Sequence, residues 1–245
     1  MIVDAHVHIG KSTRLQIDAD AAFLVRTADE LGFDKICCTD LTALFYDMHE
    51  GNHLLYEQML RYPDRIIGYA SLHSTRFGRE SLEELDRCHE VYGMRGLKIY
   101  STPEVSIAEP AMIPILEKCV EHRLPVLAHA TPAECEYLME RVPEAVLMMA
   151  HGGGQPYAKG DWNRAIMAAQ KFSNLFLETA SSTVDSGFVT TAVETLGAEK
   201  VVFGTDTPLL DPYVQQAKIA NARLDGRARE LVMGGNILRL MDLAA

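Results

Sequence analysis

Two histidines one residue apart close the first apolar run of the chain, Met-Ile-Val-Asp-Ala-His-Val-His. If residues 2–8 form a strand, alternate side chains share a face. His6 and His8 then point the same way with Asp4 beneath them, and Val3, Ala5 and Val7 point the other way. Such a pair chelates a divalent ion when further ligands complete a set of three or four, but two ordinary histidines on a half-exposed strand would look the same. Four other polar residues interrupt apolar runs in a comparable manner. They are Lys98 in Arg-Gly-Leu-Lys-Ile-Tyr, His129 in Pro-Val-Leu-Ala-His-Ala, His151 in Ala-Val-Leu-Met-Met-Ala-His, and Asp206 after Val-Val-Phe-Gly-Thr. Imidazole nitrogens and a carboxylate are the donors that zinc and its neighbours accept.

Whether these residues meet depends on the elements that carry them. Eight short apolar runs are expected as strands: residues 2–8, 34–40, 65–73, 95–100, 125–130, 145–151, 175–180 and 201–205. A helical pattern follows each. Asp18 and Asp20 are candidate caps for a helix that Gly32 closes, Asn52 begins one that Pro63 stops, and Leu82, Leu85, Cys88 and Val91 recur at helical spacing. Pro110 opens another, and Thr131-Pro132-Ala133-Glu134 reads as a capping box with proline at the first helical position. Residues 9–17 read as a polar loop, and the last stretch is helical from about Tyr213, broken near Gly226 and Gly234-Gly235. Eight strand–helix units predict a (β/α)8 TIM barrel, one domain over residues 1–245. The rival, an open doubly wound sheet, uses fewer strands and usually a Gly-x-Gly-x-x-Gly turn after the first, where this chain has His-Ile-Gly-Lys-Ser.

Composition narrows the partners. The net charge of −11 comes with scattered basic residues, so nucleic acid and anionic membrane surfaces are not expected and a small-molecule substrate is. Five cysteines without a Cys-x-x-Cys pair read as free thiols of a reducing compartment. With no signal-peptide pattern or membrane-length apolar run, the expected location is the cytoplasm. A homodimer is a base-rate expectation.

A barrel of this kind gathers its chemistry at the C-terminal ends of its strands. His6 and His8, Lys98, His129, His151 and Asp206 all fall there. A lone histidine at a strand end is more often a hydrogen-bonded core residue, but four histidines and an aspartate on one rim are better satisfied together by a divalent cation. Three or four N and O ligands with one open position is the pattern of catalytic zinc, whose bound water titrates near about pH 7 and can act as a nucleophile.

His-Val-His, Gly-Leu-Lys, His129, His151-Gly-Gly-Gly, Phe-Gly-Thr-Asp-Thr-Pro and the closing Met-Gly-Gly-Asn-Ile-Leu-Arg-Leu together resemble the amidohydrolase superfamily. More narrowly, they are similar to the branch that includes aminocarboxymuconate-semialdehyde decarboxylase and related aromatic decarboxylases. The resemblance runs from residue 1 to about residue 240. It implies one zinc ion on His6, His8, His129 and Asp206, with His151 orienting or deprotonating the water and Asp206 taking a proton in turnover. Gly-Leu-Lys-Ile-Tyr is also similar to the segment of binuclear relatives such as dihydroorotases, in which the lysine is carbamylated. On that reading Lys98 would bridge two ions, with His129 and His151 on the second. Otherwise Lys98 stays an ammonium that binds a substrate carboxylate with Tyr100 beside it, or forms an internal ion pair.

The leading expectation is a metal-dependent hydrolase of a small amide, lactone or ester. The alternative is zinc-dependent, non-oxidative decarboxylation of an aromatic or unsaturated acid, and a further one is a metal-binding barrel without turnover. Gly152 to Gly154 read as a tight turn rather than an anion cradle. Cys37, Cys38, Met148, Met149 and Trp162 read as core, and Lys11, Arg14, His73 and Lys159 as rim residues more often solvated than substrate-bound.

Overall fold

A computed structural model describes residues 1–73, 77–102, 105–153, 162–181 and 187–243. Its first strand is longer than the apolar run that announces it. β1 (Val3–Ser12) continues past the histidines and folds back through a short antiparallel strand, β2 (Ile17–Ala19), with Gly10 opposite Ala19 and Ser12 opposite Ile17. Residues 9–17 are therefore mostly a hairpin rather than a polar loop. Gly10 permits it: its φ is 94°, and a Cβ there would lie 2.8 Å from the Asp40 carboxylate.

The other strands are β3 (Lys35–Asp40), β4 (Ile66–Ser71), β5 (Gly96–Tyr100), β6 (Val126–His129), β7 (Leu147–Met149), β8 (Leu175–Glu178) and β9 (Val201–Val202). Strands β1 and β3 to β9 are parallel neighbours in sequence order, the eight expected, and β2 is the extra one at the edge. The ring closes between β1 and the segment after β9. Ala5 N donates to Phe203 O (3.0 Å), His8 N to Thr207 O (2.7 Å) and Asp206 N to His6 O (2.7 Å). This is the eight-stranded α/β barrel, with Val3, Cys37, Tyr69, Leu127, Met148, Phe176 and Val202 packed inside. Outside, α1 (Ala21–Leu31), α3 (Met48–Arg61), α4 (Arg79–Glu90), α5 (Ile113–Glu121), α6 (Pro132–Met139), α7 (Trp162–Lys171) and α8 (Phe188–Leu196) cover the opposite strand faces. A five-residue helix, α2 (Leu41–Phe45), precedes α3, and α9 (Pro212–Asn221), α10 (Gly226–Glu230) and α11 (Asn236–Leu240) close the chain.

Several helix starts follow their caps. Asp20 accepts from Phe23 N and Thr131 forms both halves of the capping box with Glu134. The second helical unit begins earlier than Asn52, because Asp47 accepts from His49 N and Glu50 N. Gly226 opens a helix rather than breaking one, with Asp225 as its cap. Among the described residues no helix is long and apolar enough to cross a membrane. All five cysteines are buried free thiols. Gly154 and Lys159 lie outside the described residues.

Candidate metal centre and active site

Strict alternation along residues 2–8 does not hold. The pairing of β1 with β3 slips between Asp4 and Val7, a bulge that puts two residues of β1 opposite one of β3. Below the bulge Val3 and Ala5 face the barrel interior, while Asp4 shares the outer layer with Val7, Leu24 and Ile36. Above it His6 and His8 face inward. Asp4 is thus not beneath the histidines; it accepts from Thr205 N (2.9 Å) and Thr205 Oγ1 (2.5 Å) and ties β1 to the segment carrying Asp206. Burial pushes its carboxyl up to about 7.

His6 Nε2 and His8 Nε2 stand 3.2 Å apart, and Asp206 Oδ1 is 3.3 Å from the first and 3.0 Å from the second. Ligands about 2.0–2.2 Å from a zinc-sized ion are separated by about 3.0–3.5 Å, so this triangle has the edges of a coordination face. The ring protons fit as well. His6 Nδ1 faces Glu178 Oε2 at 3.1 Å, a carboxylate that only accepts, so His6 carries its proton there and Nε2 keeps a lone pair. His8 Nδ1 lies 2.8 Å from Thr39 Oγ1, which is also 3.5 Å from Val7 O, so the ring can donate to the hydroxyl while the hydroxyl donates to the carbonyl. In that arrangement His8 Nε2 is also proton-free. The donor set fits a divalent cation.

His129 and His151 form a second pair in the same pocket. His151 Nδ1 donates to Ala180 O (3.0 Å), which leaves its Nε2 to accept from His129 Nδ1 (3.1 Å) and puts the lone pair of His129 on Nε2. His129 is not among the three donors gathered within 4.8 Å of one another, so three of the four anticipated ligands form a compact triad and His129 lines the same pocket outside it. His151 is not on a strand: β7 ends at Met149, and a 3-10 turn, Ala150–Gly152, carries it at φ 58°. Asp206 sits at φ 60°. His and Asp enter the left-handed region more readily than most residues, yet each does so at a cost of about 1 kcal/mol. Both anticipated catalytic residues are therefore held in strained backbone.

Lys98 is 1% exposed, and its Nζ lies 2.8 Å from His6 Nε2. Burial pushes its ammonium down to about 8 against the attraction of Asp206 and Glu178. Burial also holds the imidazoles of His6, His8, His129 and His151 below the usual histidine value, in the neutral form that binds metals. Burial alone would raise Asp206, but His6, His8 and His151 hold its carboxyl well below the usual range.

The pocket above the triad measures about 70 Å³. Its polar floor is His8, Lys98, His129, His151 and Asp206, and its walls are Leu15 from the hairpin, Leu41, Leu44 and Phe45 from α2, Tyr100 and Leu209. Phe45 meets Tyr100 edge-on at 5.4 Å, and Tyr100 lies against His129 at 4.5 Å. Of the rim residues, Lys11 is exposed and paired with Asp18 (3.1 Å), Arg14 lies over the outer part of Phe45 at 5.5 Å, and His73 does not line the pocket. Gly152 and Gly153 form a left-handed turn with the Phe188 ring where a Cβ of Gly152 would be, which agrees with the tight-turn reading.

Sequence reasoning passed over Glu178. It is the one charged residue in Leu-Phe-Leu-Glu, on the parity of the inward-facing Phe176, and that is the signal that would have found it. It is fully buried and accepts from His6 Nδ1, from His151 N (3.1 Å) and from Ala180 N (2.5 Å).

A family model described as Amidohydrolase matches residues 3–243. Among curated proteins there is no sequence match. Solved structures share the fold at low identity. The 2,6-dihydroxybenzoate decarboxylase from Rhizobium superposes with a TM-score of 0.82 at 16% identity, over 99% of this chain and 98% of that one. A dihydroxybenzoic acid decarboxylase from Polaromonas sp. JS666, solved with manganese and 2-nitroresorcinol, gives 0.81 at 16% over 99% and 97%. The 4-oxalomesaconate hydratase from Rhodopseudomonas palustris gives 0.77 at 18% over 99% and 96%. With the family model spanning nearly every residue, from β1 to the last helix, the chain belongs to the amidohydrolase family of enzymes.

Proposed function

We propose that the protein is a metal-dependent decarboxylase of a small, flat aromatic or unsaturated carboxylic acid. The ion, zinc in the reading made from sequence, is held by His6, His8 and Asp206 with His129 completing the set. The observation that carries this is the pocket: about 70 Å³, with His8, His129, His151, Asp206 and one lysine at its floor and apolar or aromatic walls. Phe45, Tyr100 and Leu209 offer apolar and aromatic walls suited to the flat face of such an acid, with Lys98 at the floor for its carboxylate. Fold neighbours that are decarboxylases point the same way, and one of them holds manganese with a nitro-substituted phenol.

The bound ion would supply Lewis-acid charge to the oxygens of the acid. Lys98 would meet the carboxylate, and the apolar walls would exclude water from an anion whose charge disperses as the reaction proceeds. The bond from carbon to the carboxylate breaks and CO2 leaves; the electron pair stays on that carbon, which takes a proton. Asp206, ionised in the resting site, would relay that proton, which comes from water or from the acid group of the substrate. His151 holds His129 in the required tautomer.

The test is a panel of hydroxybenzoic and unsaturated acids, amides and lactones offered to protein reconstituted with Zn²⁺ or Mn²⁺, followed by CO2 release and by acid release. CO2 from at least one acid, lost in Asp206→Asn, is expected. Hydrolysis of a lactone or amide with no CO2 from any acid would return the protein to the hydrolase reading.

A further inference from the structure

We propose that Glu178 is a positioning residue that fixes the tautomer of His6 and the strained backbone of His151 together, and thereby sets how tightly the ion is held. The proposal rests on the metal-centre reading above but on no particular substrate. The carboxylate is fully buried, and among the described residues its only ion-pair partner is His6. All three groups that face it are donors. Oε2 takes the His6 ring N–H and the His151 amide, and Oε1 takes the Ala180 amide.

An amide in its place cannot satisfy that arrangement. With its NH2 where Oε1 lies, it opposes the Ala180 N–H; turned over, it opposes the His151 N–H. In the second orientation it also drives His6 to accept at Nδ1, which moves the ring proton to Nε2 and removes the lone pair facing His8 and Asp206. The carboxylate is thus required by the donors around it. Through the His151 amide it also holds a residue whose φ of 58° would otherwise relax.

His6, His151 and Glu178 lie close enough to share an ion themselves. That would leave the three N–H groups without their acceptor, and it would require His6 to serve ions through both nitrogens. The positioning role avoids both.

The experiment compares wild type with Glu178→Gln and Glu178→Asp by chelator competition with Zn²⁺ and Mn²⁺, together with ¹⁵N NMR of the histidine rings in the metal-free proteins. Wild type should show His6 protonated at Nδ1. Glu178→Gln should bind either ion roughly 10- to 100-fold more weakly, the range for loss of an outer-sphere partner, with the His6 proton moved to Nε2 wherever the amide takes its second orientation. Circular dichroism and melting separate this from unfolding. Should the glutamine variant not fold, the wild-type His6 tautomer and the aspartate variant decide. Wild-type affinity in Glu178→Gln, or His6 protonated at Nε2 in wild type, would overturn the proposal. Binding of two ions by wild type and one by Glu178→Gln would assign Glu178 as a ligand instead. None of these readouts uses a substrate, so they stand apart from any failure of the decarboxylase reading.

Discussion

Replacing Asp40 by asparagine should stabilise the protein at neutral and alkaline pH while leaving it unchanged near pH 4. Asp40 ends β3, is 3% exposed, and caps α2 by accepting from Thr42 N at 2.7 Å. Burial raises its carboxyl from the ordinary 3.8 to about 6, against the hydrogen bonds from Thr42 and Ala43. Between those values the folded protein binds more protons than the unfolded one, so stability falls as pH rises through that window and the penalty is complete above it. Two pKa units correspond to about 3 kcal/mol. Asparagine keeps an oxygen for the cap and is as good an N-cap residue, so it escapes most of that penalty. The net gain at pH 8 is about 2 kcal/mol, or roughly 4–8 °C in Tm for a chain of this size. Thermal melts of both proteins at pH 4, 6 and 8, at one fixed metal concentration, give the difference with other titrations cancelled. A difference independent of pH, or a less stable variant at pH 8, would refute the reasoning. Because α2 supplies Leu41, Leu44 and Phe45, the same series reports the stability of the pocket wall.

Two other substitutions probe the floor of the pocket. In Lys98→Met the hydrogen bond on His6 Nε2 is gone, and removal of about 1 kcal/mol of competition should tighten ion binding roughly fivefold while substrate capture falls. Weaker binding, or a drop from two ions to one in an ion titration, would mean that Lys98 is itself a ligand, as the carbamylated reading holds. In Gly204→Ala the new methyl would overlap the Glu178 carboxylate and lie 2.8 Å from His6 Cβ, so a loss of about 1–3 kcal/mol is expected together with weaker ion binding, checked by melting and chelator competition.

The barrel was legible because eight apolar runs and their helix caps are local patterns, and each of Asp20, Thr131 and Glu134 acts where its type suggests. The triad was legible because histidine and aspartate at the ends of buried strands are costly without a shared partner. What stayed hidden depends on register. The bulge in β1 shifts the parity of residues 4 to 7 without changing their types, so Asp4 was placed on the face it does not occupy. The hairpin through Ile17–Ala19 is built from mixed residues that match a loop equally well, and its partner is supplied by the unbroken extension of β1. Strand β7 stops short of His151 because the turn after it needs left-handed backbone, which no hydrophobic pattern records. Lys98 was open to three readings because its partner, His6, is 92 residues away.

The closure between β1 and the segment after β9 has a bearing on how the ion is acquired. Asp206 donates its amide to the carbonyl of His6, so one proposed ligand is hydrogen-bonded through the main chain to another that lies 200 residues earlier. The two imidazoles that β1 supplies do not make a set of three or four donors by themselves. The third donor takes its place only when the last strand docks and the ring shuts. If these residues hold an ion as proposed, all three can do so only once the ring has closed. By linkage, an ion held by these residues would act as a rivet across the seam. Stripping it should first loosen the junction of the chain's early and late segments, which amide exchange at Ala5, His8 and Asp206 would register before any other part of the barrel.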